Sequence, residues 1–376
     1  MRSHAIPFRI TRLLLCWYTL LNVAISVLLL HPTAPALAGE PPSSLYVALF
    51  NSDKITRFTI QPGGLLQGPE DVVSTGKGPR SMVVDPCGPF LYARTQGSYS
   101  IDLFDIGKSG QLKKRQVSLP PTILSDSAKA MAIHPRCKSL YVPWFLIWAG
   151  GPSQSGLERF SIDNQGTLDF KARFKVGPIP IDVAFLPSGE LLIVATQSDS
   201  QLTLVTTDKD TGAETHILGA RPSNGRAPVA LAATPDSQHL YVAHSSGEVS
   251  MFTINDASTG KFTWLGNVPA GQEPRMIKVD PKGRFAYVMD YRGNTVKSFL
   301  IEGNGKLSPQ GDVQSGLRPI DMAFNVAGNV AYVAEFGTNS VQPFAIDNRT
   351  GRLTPLGPSM PVEGAGPVAL VVAPTP

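Results

Sequence analysis

The chain has 376 residues, 42% hydrophobic and 16% charged, with 35 glycines, 33 prolines and a formal charge of +4. Such a composition excludes a disordered chain and points to a turn-rich, strand-rich fold with a large buried core. Three of the positive charges, Arg2, Arg9 and Arg12, lie in the first 38 residues with no acid among them, so the remainder carries only +1 and gives no support to nucleic-acid binding or a polybasic membrane surface.

Residues 1–38 read as a secretory signal peptide: the basic start "MRSHAIPFRITR", the apolar run "LLLCWYTLLNVAISVLLL", and Ala36 and Ala38 flanking Leu37 before the cleavage point. Cys16 lies inside the apolar run without the small neighbours of a lipid-attachment site. The 18 apolar residues are also just long enough to span a bilayer, so a retained N-terminal anchor is the alternative. Either way, residues 39–376 are expected outside the cytoplasm, secreted or periplasmic.

From residue 39 onward one unit recurs. A Gly-x-x-Pro opens it at Gly76/Pro79, Gly177/Pro180, Gly225/Pro228, Gly271/Pro274, Gly316/Pro319 and Gly364/Pro367, with Ser125/Ala128 as a degenerate copy. Successive anchors lie 49, 52, 48, 46, 45 and 48 residues apart, the mark of a propeller, solenoid or array. Each opening leads through an apolar strand to a turn such as "VDPKG". A second strand centred on tyrosine ("SLYVAL", "FLYART", "FAYVMD") follows, then a third ("VKSFLI"), a glycine-closed turn and a more polar fourth strand. The tyrosine strand occurs seven times, with Ile193 in place of one tyrosine.

These units predict an all-β, seven-bladed β-propeller with four antiparallel strands per blade, occupying 39–376 as one domain. The chain enters on a second strand and leaves on a lone first strand, "GPVALVVAPTP", so the last blade is expected to be closed by the N- and C-terminal strands together, removing the free sheet edge. Cys87 and Cys137, 50 residues apart in equivalent turns of adjacent blades, are expected to form a disulfide.

Topology places the Gly-x-x-Pro loops and the loops after the tyrosine strands at one mouth of the ring, where ligands of closed β-folds usually bind. Cations gather there: Arg80, Lys129 and Arg275 follow the proline position, and Arg226 and Arg318 precede theirs. They suit a small anionic ligand or a protein partner, with pairing to Asp182, Glu273 and Asp321 as the alternative use. Three residues beyond the repeat tyrosine stand His244, Asp290 and Glu335 in consecutive blades, residue types that acid–base catalysis requires and that loop entrances also use structurally. Trp144 opens an enlarged aromatic loop, "PWFLIWAGGPSQSGLE", read either as a lid or interface at the mouth or as packing within the ring. His134, His216, His239 and His244 form no close-spaced ligand pair, so no metal is expected, nor any other cofactor, and the molecule is expected to be a monomer.

In "GPRSMVVDPCGPFLYA", "EPRMIKVDPKGRFAYVMDYRGNTVKSF", "FAIDNRTGRLTPLG" and "GAGPVALVV" the chain resembles the seven-bladed lactonase family, the 6-phosphogluconolactonase-like proteins, and the related YVTN-repeat surface propellers. The resemblance implies the propeller fold and, as an activity, lactone hydrolysis near a Pro-Arg-His on an inner strand with Asn-Glu after the next Tyr-Val. Pro274 and Arg275 match; Met276 stands at the His position, and Asp290 and Tyr291 at the Asn-Glu pair. The first reading is therefore an extracytoplasmic propeller binding an anionic molecule or partner through Arg80, Arg226, Arg275, Arg318 and Trp144. The alternative is a lactone hydrolase in which Arg275 steadies the oxyanion and His244, Asp290 and Glu335 move protons.

Overall fold

The computed structural model describes residues 42–115, 130–146 and 154–375. Among them are 29 strands in seven antiparallel sheets, the blades of a ring. Blades 1 to 6 follow the chain, and their inner strands are Pro79–Val84, Ala132–Ile133, Pro180–Phe185, Pro228–Ala233, Pro274–Val279 and Pro319–Phe324. Blade 7 takes its inner strand Pro367–Pro374 from the C-terminus and its other three from Ser43–Ser74, with Leu45 opposite Val372 and Val47 opposite Leu370. Blade 2 departs from the repeat in that its inner strand has two residues where the others have six or more. In blade 6 the outer edge is split into Leu353–Pro355 and Met360–Pro361, both paired to Ser340–Ile346.

The strands bury both faces, because each sheet is sandwiched between two neighbours. The apolar core therefore divides into seven clusters, one per seam between blades. At the seam of blades 4 and 5, for instance, Val229, Tyr241 and Met251 meet Ile277, Val288 and Phe299.

The repeat tyrosine explains why these seams hold one register. Its ring is fully buried, and its hydroxyl donates to the carbonyl of the glycine that closes the third-to-fourth-strand turn of the next blade. The pairs are Tyr46–Gly110 at 2.5 Å, Tyr92–Gly166 at 2.7 Å, Tyr141–Gly212 at 2.8 Å, Tyr241–Gly305 at 3.0 Å, Tyr287–Gly351 at 2.9 Å and, across the closure, Tyr332–Gly64 at 2.9 Å. Burial pushes the Tyr46 hydroxyl up to about 12 and those of Tyr92, Tyr141, Tyr241 and Tyr287 upward too, so all remain donors at neutral pH. The acceptor must be glycine: at Gly351 φ is +71° and an added Cβ would approach the Phe285 ring to 2.4 Å. Ile193 leaves the seam of blades 3 and 4 without this bond, and that seam is held by the apolar cluster that includes Leu186, Leu191, Leu204 and Leu240.

On the face of the "DPxG" turns, Cys87 and Cys137 form a disulfide between blades 1 and 2, with Cα atoms 6.0 Å apart. It ties down the blade with the shortest inner strand. Among the described residues no helix is long and apolar enough to cross a membrane; the segment read as a signal peptide lies outside them.

Two outcomes follow for stability. Tyr287→Phe leaves the buried Gly351 carbonyl unsatisfied and is expected to cost about 1–3 kcal/mol in denaturant unfolding. Cys87→Ser with Cys137→Ser opens a loop closed over 50 residues and is expected to cost about 2–4 kcal/mol, measured as a shift in thermal midpoint.

Candidate functional site

Every inner strand with a proline at its start carries a β-bulge at the next residue. The register with the second strand skips between Pro79 and Ser81, Pro180 and Asp182, Pro228 and Ala230, Pro274 and Met276, and Pro319 and Asp321, and again opposite Leu49 at Val368. A bulged residue leaves the ladder and its side chain is re-aimed. Six bulges thus set Arg80, Ile181, Val229, Arg275, Ile320 and Val368 around one end of the ring. Below them the inner strands enclose a channel of ≈ 510 Å³ whose polar side chains are Arg80, Ser81, Asp182, Arg275, Lys278 and Asp321.

The loops at this end are fixed from blade to blade. Asp53 Oδ1 accepts the Gly78 N–H at 2.7 Å, Ser200 Oγ that of Ala227 at 3.1 Å, Asn294 Oδ1 that of Arg318 at 2.8 Å and Asn339 Oδ1 that of Gly366 at 2.8 Å. Arg318 adopts φ 59°, a left-handed conformation that a non-glycine residue holds only when its surroundings impose it, and the Asn294 bond supplies that constraint.

Three guanidinium groups converge on aromatic rings here. Arg275 and Arg318 lie 5.1 and 5.7 Å from the centroid of Tyr291, and Arg80 lies 5.3 Å from that of Phe50. The aromatic residues occupy one repeat position, the fourth beyond the repeat tyrosine. Burial, and after it the positive charge of Arg275, pull the Arg80 pKa below the ordinary guanidinium value. No carboxylate pairs with Arg80 or Arg318 among the described residues. Glu273 is the acid of this sector, and it pairs with Arg275 and, at 3.3 Å, with Arg292. The mouth therefore carries positive charge in excess of its acids, Arg80 and Arg275 half-buried and Arg318 exposed on the rim, and an entering anion relieves that repulsion.

The other residues singled out in the sequence serve elsewhere. Asp290 accepts the N–H groups of Gln272 and Glu273, each at 2.9 Å, and so braces the Gly-x-x-Pro loop of its own blade. Glu335 accepts Ser315 Oγ at 2.9 Å, Gly316 N at 2.6 Å, Ser340 Oγ at 2.7 Å and Ser359 Oγ at 2.8 Å, doing the same for blade 6. His244 is fully buried, bonds Ser250 Oγ through Nε2 at 2.9 Å and fills the space that a Cβ on Gly225 would need. None of the three lines the channel. Trp144 is 5% exposed and packs within blade 2 between Gly156 and the Arg173 guanidinium, 5.6 Å from its ring. Arg226 is exposed on the rim and does not line the channel. Lys129 and residues 147–153 of the enlarged loop lie outside the described residues. Sequence reasoning did not single out Tyr291 and Phe50 as platforms, nor Lys278; for the two rings the signal was the aromatic residue that recurs four places beyond the repeat tyrosine, one beyond the position of His244, Asp290 and Glu335.

A closed seven-bladed propeller with a cationic, aromatic-backed mouth defines the class. The chain belongs to the family described as Lactonase, 7-bladed beta-propeller, which matches residues 41–124, 120–222 and 220–318. It is 21% identical over 275 residues to a 6-phosphogluconolactonase of Erwinia tasmaniensis, covering 71% of this chain and 80% of that one, and 25% identical over 246 residues to one from Serratia proteamaculans, covering 62% and 71%. Among solved structures, the periplasmic gluconolactonase of Pseudomonas aeruginosa superposes with a TM-score of 0.72 at 18% identity, over 89% of this chain and 100% of that one.

The buried histidine makes stability depend on pH. Burial pulls the His244 pKa down to about 4, so between that value and the ordinary 6.5 the unfolded chain binds the proton and the folded one does not. Stability is then full above pH 6.5 and falls toward pH 4, by on the order of 2–3 kcal/mol from this residue. His134 is shifted in the same direction by burial. Unfolding midpoints measured across this window should fall with pH in the native chain and fall less steeply in His244→Gln; equal slopes would remove His244 as the cause.

Proposed function

We propose that the protein hydrolyses an anionic lactone at the Gly-x-x-Pro mouth, outside the cytoplasm. The observation that carries this reading is the cluster of Arg80, Arg275 and Arg318 above the channel, with two of the three lacking a carboxylate partner among the described residues. Family membership and relatives named 6-phosphogluconolactonase support lactone chemistry over binding alone. In lactone opening, negative charge builds on the carbonyl oxygen, and a fixed guanidinium pre-aimed at that oxygen lowers the barrier without reorganisation. The bulge and the contact with Tyr291 support Arg275 in that role, and Arg80 and Arg318 would hold the substrate's own anion. Export is supported by the basic-apolar-small pattern of residues 1–38, by the Cys87–Cys137 disulfide, which persists in oxidising compartments, and by the periplasmic neighbour.

A second reading, a propeller that holds an anion without turning it over, is favoured by one observation: His244, Asp290 and Glu335 are all taken up by structure, and Met276 occupies the family's His position. Turnover decides between the two. With carboxylated and phosphorylated aldonolactones as substrates, the wild type should give saturable hydrolysis above the spontaneous rate. R80Q/R275Q/R318Q should keep its circular dichroism and lose roughly 10²–10³ in kcat/KM. Binding of the hydroxy-acid product without any turnover by the wild type would establish the second reading.

A further inference from the structure

We infer that the preferred substrate is an anionic lactone whose carbon body is hydrocarbon, aliphatic or aryl, rather than polyhydroxylated; the inference rests on the lactone-hydrolase reading above and names the class of lactone. What the mouth and channel leave exposed to a ligand is cationic or apolar. In ring order the bulge residues run Arg275, Ile320, Val368, Arg80, so two aliphatic side chains separate the two guanidinium groups. Ile320 is half-buried, lines the channel and joins the apolar cluster of the neighbouring seam together with Phe50 and Phe336, two half-buried rings. Beside those rings the residue before the proline is glycine: a Cβ on Gly78 would come within 3.1 Å of Phe50, and one on Gly366 within 3.2 Å of Phe336. The same repeat position in blade 6 is Arg318, whose guanidinium lies over Tyr291. Deeper in the channel, the lining that keeps partial exposure includes Val83, Met276, Val279, Phe324 and Val371.

The groups able to meet sugar hydroxyls are already taken. No Asn, Gln, Thr, Tyr or His side chain is among the described residues that line the channel, and its one hydroxyl, Ser81, is buried. Its two carboxylates are buried as well. Asp182 accepts the N–H groups of Val183 at 2.9 Å and Leu231 at 2.7 Å; Asp321 accepts that of Leu370 at 2.8 Å and pairs with Lys278 at 3.2 Å. Those bonds also occupy the Leu231 and Leu370 N–H groups of the neighbouring inner strands. A hydroxyl carried into this space gives up its water without gaining a partner, whereas methylene or aryl carbon gains by leaving water. Below the arginines, Asp182 and Asp321 stand against Lys278 alone among the described lining, so the substrate's anion is kept at the guanidinium level and the carbon body lies over Ile320 and Val368.

A matched pair of equal charge tests the inference: the δ-lactone of glucaric acid, and the same carboxylated ring without its hydroxyls. With each rate divided by the spontaneous one, the wild type should prefer the deoxygenated ring by roughly 10–10² in kcat/KM, the hydroxylated ring remaining the slower substrate. Ile320→Asn sets an amide at the mouth and should shrink that preference about tenfold, while Ile320→Val keeps it. Met276→Gln, on the adjacent inner strand, carries the same expectation as I320N and covers the case in which I320N does not fold. Calorimetric titration with the two ring-opened products reads the same surface without turnover. The deoxygenated product should bind more tightly, with the more negative heat-capacity change that apolar burial gives. Equal or reversed preference in the wild type, or a preference that survives both I320N and M276Q, would overturn the inference and leave the lactonase reading standing. A wild type that hydrolyses neither ring would overturn both.

Discussion

The bond from a buried tyrosine hydroxyl to a glycine carbonyl of the next blade is the constraint on which the ring depends. Apolar seams alone are tolerant of sliding, since hydrophobic burial has no direction. A hydroxyl buried with its ring must find a partner at one distance and angle, and the partner here is a carbonyl that only a glycine in a left-handed turn can present so closely. Repeated at six seams, it fixes the rotation of one sheet against the next, including the Tyr332–Gly64 seam between blades 6 and 7. The exception is at Ile193, where the seam of blades 3 and 4 is held by its apolar cluster alone.

That rigidity is what allows the opposite end of the ring to hold charge. Guanidinium groups as near as Arg80 and Arg275 repel, and flexible loops would relieve the repulsion by moving them into water. The bulges, the side-chain caps from Asp53, Ser200, Asn294 and Asn339, and the Asp290 and Glu335 braces deny that escape. Asp290 and Glu335 thus set the loops from which Arg275 and Arg318 project.

The repeat was legible because a 45–52-residue period, a proline at each inner strand and a tyrosine at each second strand are local features that the chain repeats. The blade count, the closure and the Cys87–Cys137 neighbourhood all follow from counting. Arg80, Arg275 and Arg318 were legible as well, since their repeat positions share one end. What the pattern could not show was the direction of side chains. His244, Asp290 and Glu335 look like a titratable set in one dimension, yet each turns toward its own blade; Trp144 reads as a loop residue and lies inside the sheet. The bulge that aims Arg275 adds one residue to a ladder, a change of register that composition and spacing do not record.

The central claim is that the working site is the guanidinium-rich end of the channel. Its most direct test is a crystal structure with a lactam analogue of an anionic lactone, which cannot be opened. The account predicts density with the anionic group against Arg80 and Arg318 and the ring carbonyl toward Arg275, over the channel that holds Lys278 and Asp321. Density on the opposite face, against turns such as those of Lys282 and Arg284, with an empty guanidinium mouth, would contradict it.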